Sequence, residues 1–547
     1  MFTLDPYAAR SCPLKTVYAF RPDLSRPVVE APRGLPGSGE FSKDVLDRIA
    51  AAEGTVDLRG LATASHDDQE AACLAALAAG APVVIGALLP RDWEQHRQGR
   101  PDLLVRHPAG GYVPGVVKFQ RALDPRKDDL PFRYSRLPHP GEPIQGTGWR
   151  YRWHWRWPNA LQLAHLWLLL GPTGFQADEP VGLVIGTDRI ESADPVATWV
   201  GLAEPVVPAA PQQNVDDDGG RLVSALDRYA HELGTRVRLA EAAASGDITD
   251  APHPIVSHEC SYCVWWQTCR SLLDDDDLSL RINKSPLDRH EIAGLRLAGV
   301  TTVADLAAAD VDVLLPRYLP TVAHRAGAED RLRMVQRRSR LLATGTELDR
   351  LRPGPVAVPG ADVEIDIDIE TSRTDRVYLW GFWVSGPDGG HYRHFSDFSE
   401  LDDAAELDLA RRAMCWLRDQ VDGVDALVFH YSDYEVIRLN RLALTGEPTL
   451  GWARDFAASR FFDLFDLVRA NFFGANGLGL KAVASAGPGF DWRDEEPGGL
   501  NSMAWFDEAV GAGDPAVRDA ARCRVLRYNE DDVRATVALR RWLRALS

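Results

Sequence analysis

Positive charge is scarce in this sequence: 61 Lys and Arg face 79 Asp and Glu, a net charge of −18. A protein that coats nucleic acid is usually basic, so this balance argues against that class. It leaves room for a nuclease, whose site is itself built of carboxylates and filled by metal ions that bring the positive charge. Long apolar runs are also lacking. The longest, near Leu161–Leu170, is broken by Gln162 and His165 and falls short of the roughly 20 residues that cross a bilayer. The first residues, MFTLDPYAARSCPLK, have no basic segment followed by an apolar one, so no signal peptide is expected. The reading is a cytoplasmic protein without a membrane partner. Seven cysteines, an odd number, make a disulfide framework improbable, and no internal repeat stands out. What remains, 45% hydrophobic and 26% charged residues, is the composition of a globular chain. A length of 547 residues suggests about three or four structural units.

The expected fold class is α/β throughout. Short strands are expected at Val83–Leu89, Asp102–Arg106, Val113–Lys118 and Val181–Ile190, with helices at Pro158–Leu170 and Leu222–Ala244. The Pro-, Ala-, Gln- and Asp-rich stretch 205–220 reads as a loop. The run Asp274–Asp277 reads as a solvated boundary. Residues 285–345 read as helical. Ile292–Ala298, Gly299-Val300-Thr301 and Val303–Ala309 resemble a helix-hairpin-helix, whose turn can offer N–H groups to phosphate, or form a plain helical spacer. Three prolines in Leu351–Gly360 mark a second linker. This divides the chain into 1–278, a helical linker domain 279–350, and 355–547.

The segment Val363–Glu370 alternates strictly, so a strand there puts Val363, Ile365, Ile367 and Ile369 on one face and Glu364, Asp366, Asp368 and Glu370 on the other. Four acids on one face repel, and a divalent cation is the simplest neutraliser; a wet edge strand is the alternative. Near the end of the chain, Tyr528 and Asp532 are four apart and share a helix face. An acid there can complete a two-metal site for phosphodiester cleavage, with the tyrosine hydroxyl orienting water.

These residues carry a resemblance. Asp368-Ile369-Glu370 is similar to the first motif of the DEDD exonucleases, and Tyr528-x-x-x-Asp532 to the third motif of their tyrosine branch. The stretch Val428–Glu435 stands where the second motif belongs. That motif usually has Asn and, five residues on, Asp; here His430 and Glu435 hold those places, with Asp433 as the alternative acid. Phe462-Asp463-Leu464 and Gly479-Leu480-Lys481 resemble motifs of YprB-type RNase H-like domains. Asp463, Asp466 and Lys481 are read mainly as helix-capping and surface residues.

Cys260, Cys263 and Cys269 form C-x2-C-x5-C. Three thiolates this close suggest a zinc site completed by His258, or, with the distant Cys12, a four-cysteine site for a 4Fe–4S cluster or Zn²⁺. One early cysteine and a late triad resemble the iron–sulfur RecB-like nucleases of the PD-(D/E)XK fold. That resemblance implies a cluster stapling the domain's ends, Asp102 as a metal ligand, Lys118 as the motif lysine and Gln162 as the helical glutamine. Val116 occupies the place of the second acid and cannot bind metal; either Glu94 or Asp124 replaces it, or the domain only binds nucleic acid, and weakened or lost catalysis is the expectation. His66 is the nearest substitute for the usual upstream histidine. The whole order resembles a bacterial family of RecB-like nucleases fused to a C-terminal RNase H-like domain.

The expectation is a metal-dependent nuclease, a 3′–5′ exonuclease of single-stranded DNA or RNA. Asp368, Glu370, Glu435 and Asp532 would hold Mg²⁺ or Mn²⁺, and Tyr528 would position water. The first domain would guide the strand, with Trp149, Tyr151, Trp153, Trp155 and Trp157 as candidates for base stacking or as a half-buried strand. A helicase is a candidate partner, and DNA repair is one setting among several. Two rivals are a non-catalytic nucleic-acid-binding adaptor and a nuclease acting through Asp102 and Lys118. Nothing in the sequence sets an oligomeric state.

Overall fold

One fully apolar strand and one that alternates isoleucine with acid become inner strands of two sheets. The computed structural model describes residues 1–27, 38–190, 194–210, 213, 222–322, 325, 327–386 and 390–547; most of the loop expected after 210 lies outside them. The chain divides into two units: Met1–Leu280 with Leu287–Thr301 and Asp310–Arg331, and Arg281–Pro286 with Thr302–Ala309 and Leu332–Ser547.

The first unit is built on eight strands: β1 (Val56–Asp57), β2 (Val83–Ile85), β3 (Leu103–Arg106), β4 (Tyr112–Val117), β5 (Phe132–Arg136), β6 (Ile144–Gly146), β7 (Val181–Arg189) and β8 (Pro195–Gly201), in the order β1-β2-β3-β4-β7-β8-β5-β6. β4 is buried along its whole length, as a strand covered on both faces should be. Val116 packs with Leu161, Leu163 and Ala164 of the helix Trp153–Leu170, while Val113 and Val117 point to the other core with Leu103 and Ile49. The aromatic alternation after Trp149 does not continue as a strand. Strand geometry ends at Tyr151, and from Trp153 the residues join a helix whose period carries Leu161, Leu163 and Leu166 into the core. Trp153 and Trp157 pack against that core, and Trp155 alone of the three is strongly exposed.

A buried ion network holds the helix Ala225–Ala244. Glu232 Oε1 accepts from Arg228 and Arg289, each at 2.8 Å, and Oε2 lies 3.1 Å from Arg236. Burial opposes ionisation of Glu232, but Arg289, Arg236 and Arg228 outweigh it and hold its carboxyl at about 2. Of the expected hairpin of helices, Arg289–Leu297 lies in the first unit and Val303–Ala308 in the second. Asp288 caps the former and Thr302 the latter.

The second unit holds five strands: β9 (Val363–Thr371), β10 (Val377–Val384), β11 (His391–Ser396), β12 (Ala426–His430) and β13 (Phe461–Asp463), ordered β11-β10-β9-β12-β13. β10 and β11 run antiparallel in sequence from β9; β12 and β13 are parallel to it. Ile365, Ile367 and Ile369 are buried with Leu409, Met414 and Leu417 of the helix Asp403–Val421. The 31-residue helix Pro515–Ala545 closes the chain and packs on β9 and β10. Among the described residues, no helix is long and apolar enough to cross a membrane.

Candidate metal centre

The acidic face of β9 divides in two. Glu364 and Asp366 do not await a cation, because the terminal helix supplies one. Arg540 grips Asp366 through Nε (3.1 Å) and Nη2 (2.6 Å) and also meets Glu364. Arg544 adds 3.0 Å from Nη1 to Glu364. The expectation that metal balances all four acids is therefore corrected: guanidinium groups balance the first pair.

Asp368 and Glu370, half a strand further, face the same helix two turns earlier. There the residue is Asp532, and one oxygen from each of Asp368, Glu370 and Asp532 lies within 4.8 Å of the others. Glu370 and Asp532 are buried. Burial and Asp532 push the Glu370 carboxyl up to about 8, and burial with Asp532, Glu370 and Glu435 raises Asp368 well above the usual carboxylate range. Clustered buried acids behave this way until a proton or a cation relieves them. Carboxylate oxygens suit hard divalent cations, so the donor set fits Mg²⁺ or Mn²⁺.

Each acid is held by a donor. Asn529 Nδ2 donates to Asp368 Oδ2 at 2.7 Å, and Tyr392 Oη donates to Asn529 Oδ1 at 2.7 Å. Asn529 is wholly buried, and its cross-sheet space exists because residue 381 is glycine: a Cβ there would stand 1.8 Å from Asn529 Oδ1. Ser502 Oγ donates to Glu370 Oε2 at 2.7 Å and meets Tyr378 Oη at 2.7 Å. Trp492 Nε1 donates to Asp532 Oδ1 at 2.7 Å. Lys481 Nζ donates to Tyr528 Oη at 2.9 Å and to Asp532 Oδ1 and Oδ2 at 3.0 and 3.2 Å. The surface role read for Lys481 is thus corrected, since its ammonium belongs to the acid cluster. Tyr528 is buried beside Asp532, and burial and these acids keep its hydroxyl protonated.

Glu435 is buried at the start of the helix Tyr434–Ala443, and its Oε2 has no hydrogen-bond partner. His430 Nδ1 is 3.7 Å away and hydrogen-bonds the Ser432 carbonyl. Glu435 raises the Asp368 carboxyl electrostatically but stands outside the three-acid group. Asp433, the alternative, is exposed. Asp463 accepts from Ser432 N and Phe465 N, both at 2.8 Å, as a helix cap, and exposed Asp466 pairs with Arg469.

In the first unit, Asp102 Oδ2 accepts from Val117 N at 2.7 Å, and burial raises its carboxyl above the ordinary range. Lys118 lies near it electrostatically and reaches Tyr7 Oη at 3.4 Å. Gln162 Oε1 accepts from Arg10 at 2.9 Å. Val116 is core, Glu94 is exposed, and Asp124 pairs with Arg152 at 2.9 Å. His66 is exposed and meets Arg91. Among the described residues, Asp102 gathers no second and third acid into a metal-sized group. Cys12, Cys260, Cys263 and Cys269 line a single cavity with Tyr18, Trp265 and Trp266; His258 is exposed and not part of its wall.

Asn529, Tyr392, Ser502 and Trp492 were not legible as site residues. Asn529 adjoins the tyrosine of a recognisable motif, but Ser502 and Trp492 reach the site from segments with no pattern of their own. Residues 366–544 match the RNase_H_2 family model of the RNase_H superfamily. No curated protein and no solved structure matches the chain.

Proposed function

We propose that this RNase H superfamily domain is a metal-dependent nuclease that degrades a single strand of DNA or RNA from its 3′ end. The observation carrying the reading is the convergence of Asp368, Glu370 and Asp532 beneath Lys481 and Tyr528. Bound Mg²⁺ or Mn²⁺ would supply Lewis acidity at the phosphate and a more acidic water. Asp368, Glu370 and Asp532 would hold one ion, and Glu435, with its unpartnered oxygen, would help hold a second. Tyr528, kept protonated, would orient water by donating or accepting a hydrogen bond. Lys481 would fix Tyr528 and Asp532 in register. This order of motifs supports a YprB-type DEDD assignment with tyrosine in the third motif.

The first unit is read as a RecB-like PD-(D/E)XK domain that has lost hydrolysis, because Val116 replaces an acid and no other acid joins Asp102. Its four cysteines would bind a 4Fe–4S cluster that ties residue 12 to residues 260–269. Supporting a single shared site, Cys12, Cys260, Cys263 and Cys269 line one cavity, as four cysteine ligands to one group require.

The test is digestion of end-labelled single-stranded DNA and RNA with Mn²⁺, using wild type and Asp368→Ala/Asp532→Ala purified without oxygen. Laddering from the 3′ end that vanishes in the double variant is expected. Activity surviving the double variant would transfer the chemistry to Asp102 and Lys118, and its absence throughout would leave an adaptor.

A further inference from the structure

In a chain short of cations, two of them lie over one half-exposed aromatic ring. Tyr7 is 50% exposed. Arg10 Cζ lies 5.3 Å from its ring centroid and Lys118 Nζ 5.4 Å. Tyr7 sits in the turn preceding the helix Pro13–Phe20, and its carbonyl accepts from Arg10 N at 3.1 Å, so the turn itself fixes the spacing of ring and guanidinium. Lys118 leaves the end of β4 and, among the described residues, bonds no carboxylate; the side-chain partner it has there is Tyr7 Oη. The Arg10 guanidinium is braced by Gln162. The acids close by are already engaged: Asp102 is buried and holds a backbone N–H, Asp5 Oδ1 accepts from Tyr7 N at 2.7 Å, and Glu259, which acts on Arg10 electrostatically, accepts from Lys15 at 2.8 Å.

We infer that Tyr7, Arg10 and Lys118 form a metal-independent clamp for single-stranded nucleic acid, the ring taking an unpaired base and the two cations the flanking phosphates. This rests on the nuclease reading and assigns the first unit a holding role within it. An unpaired strand fits better than a duplex, because only an unpaired base can lie on an exposed ring. A metal-free mode fits because, among the described residues, Asp102 gathers no second and third acid into a metal-sized group, while Lys118 and Arg10 supply fixed positive charge beside the ring.

The experiment is fluorescence anisotropy of a labelled oligothymidylate with the full chain in EDTA, where hydrolysis is blocked, across a series of salt concentrations. Tyr7→Ala should weaken binding roughly five- to hundred-fold, the range for one stacked base, and Tyr7→Phe should retain it. Lys118→Gln should weaken binding and lower the salt slope by about 0.7, as for one phosphate on a single strand. Thermal melting of each variant checks the fold, and Tyr7→Phe with Lys118→Arg keeps the question open to decision should the alanine variants unfold. The inference is overturned by undetectable binding of wild type, by Tyr7→Ala and Lys118→Gln binding like wild type, by a duplex binding equally well, or by polyglutamate competing as strongly as the oligonucleotide. These outcomes are independent of the Mn²⁺-dependent laddering that tests the second unit.

Discussion

Lys481 and Asp532, 51 residues apart in sequence, meet with Nζ 3.0 Å from Oδ1 and 3.2 Å from Oδ2. The same ammonium bonds Tyr528 Oη, so one cation organises both side chains. Lys481→Met should leave the fold intact and slow hydrolysis about 10- to 100-fold, the usual cost of losing an outer-shell partner of a ligand. Single-turnover rates at limiting and saturating Mn²⁺ measure this. Unchanged rates in both regimes would make the contact merely structural.

Asn529→Leu removes the amide that fixes Asp368 while keeping bulk. It should raise the Mn²⁺ concentration for half-maximal thermal stabilisation by about 10- to 100-fold. Gly381→Ala should reproduce part of that shift from the opposite side of the contact, because its Cβ displaces Asn529 Oδ1. A Gly381→Ala protein with a wild-type Mn²⁺ midpoint would refute the claim that this space serves Asp368.

Arg540→Met leaves Asp366 buried with no cation and Glu364 with Arg544 alone. Breaking a buried pair on one side costs about 3–5 kcal/mol. Chemical denaturation followed through the second unit should show it, and the double change Arg540→Met/Asp366→Leu should recover part of the loss. A loss below about 1 kcal/mol would mean that the pair is solvated, since that is the worth of an exposed bridge.

Stability of the first unit should fall in acid by two separable steps. His165 is buried between Gln98 O and Tyr229 Oη, and burial lowers it from 6.5 to about 4. Its folded value lies below its unfolded one, so the unfolded chain takes up a proton first and stability falls between pH 6.5 and 4. Glu232, held at about 2 against 4.5, stabilises above pH 4.5 and loses that contribution as pH falls toward 2. Each shift is worth about 3 kcal/mol. Denaturation midpoints at several pH values, in wild type and His165→Gln, should differ in slope between about pH 7 and 4.5; parallel curves would contradict the assignment to His165.

Anaerobically purified protein should carry iron and acid-labile sulfide in equal amounts, and Cys12→Ser should lose most of both. Zinc in place of iron would replace the cluster reading.

Strand and helix periodicity made much of the second unit legible. The alternation at Val363–Glu370 put the isoleucines on one face, which is buried, and the four-residue spacing put Tyr528 and Asp532 on one helix face, where both meet Lys481. What could not be read was how the acids are shared out, since the partners of Arg540 and Arg544 are set by the packing of the helix on β9 and not by their neighbours in sequence. Lys481 was misjudged for the same reason: a lysine's partner is set by tertiary packing, not by its neighbours in sequence. In the first unit the aromatic run after Trp149 has the period of a strand for only three residues, and the long apolar helix that follows absorbs the rest.

The terminal helix acts as a ruler laid against the acidic strand. Asp532 and Arg540 are eight residues, about 12 Å, apart on it, and each must meet its own mark on β9: the first joins Asp368 and Glu370, the second grips Asp366. A slip of one turn, about 5.4 Å, would bring a carboxylate toward carboxylates and take a guanidinium away from them at the same time. The last turns of the chain, two helical turns beyond Asp532, thereby set where the third acid stands, and shortening the chain before Arg540 should blur the acid cluster even though every acid in it remains.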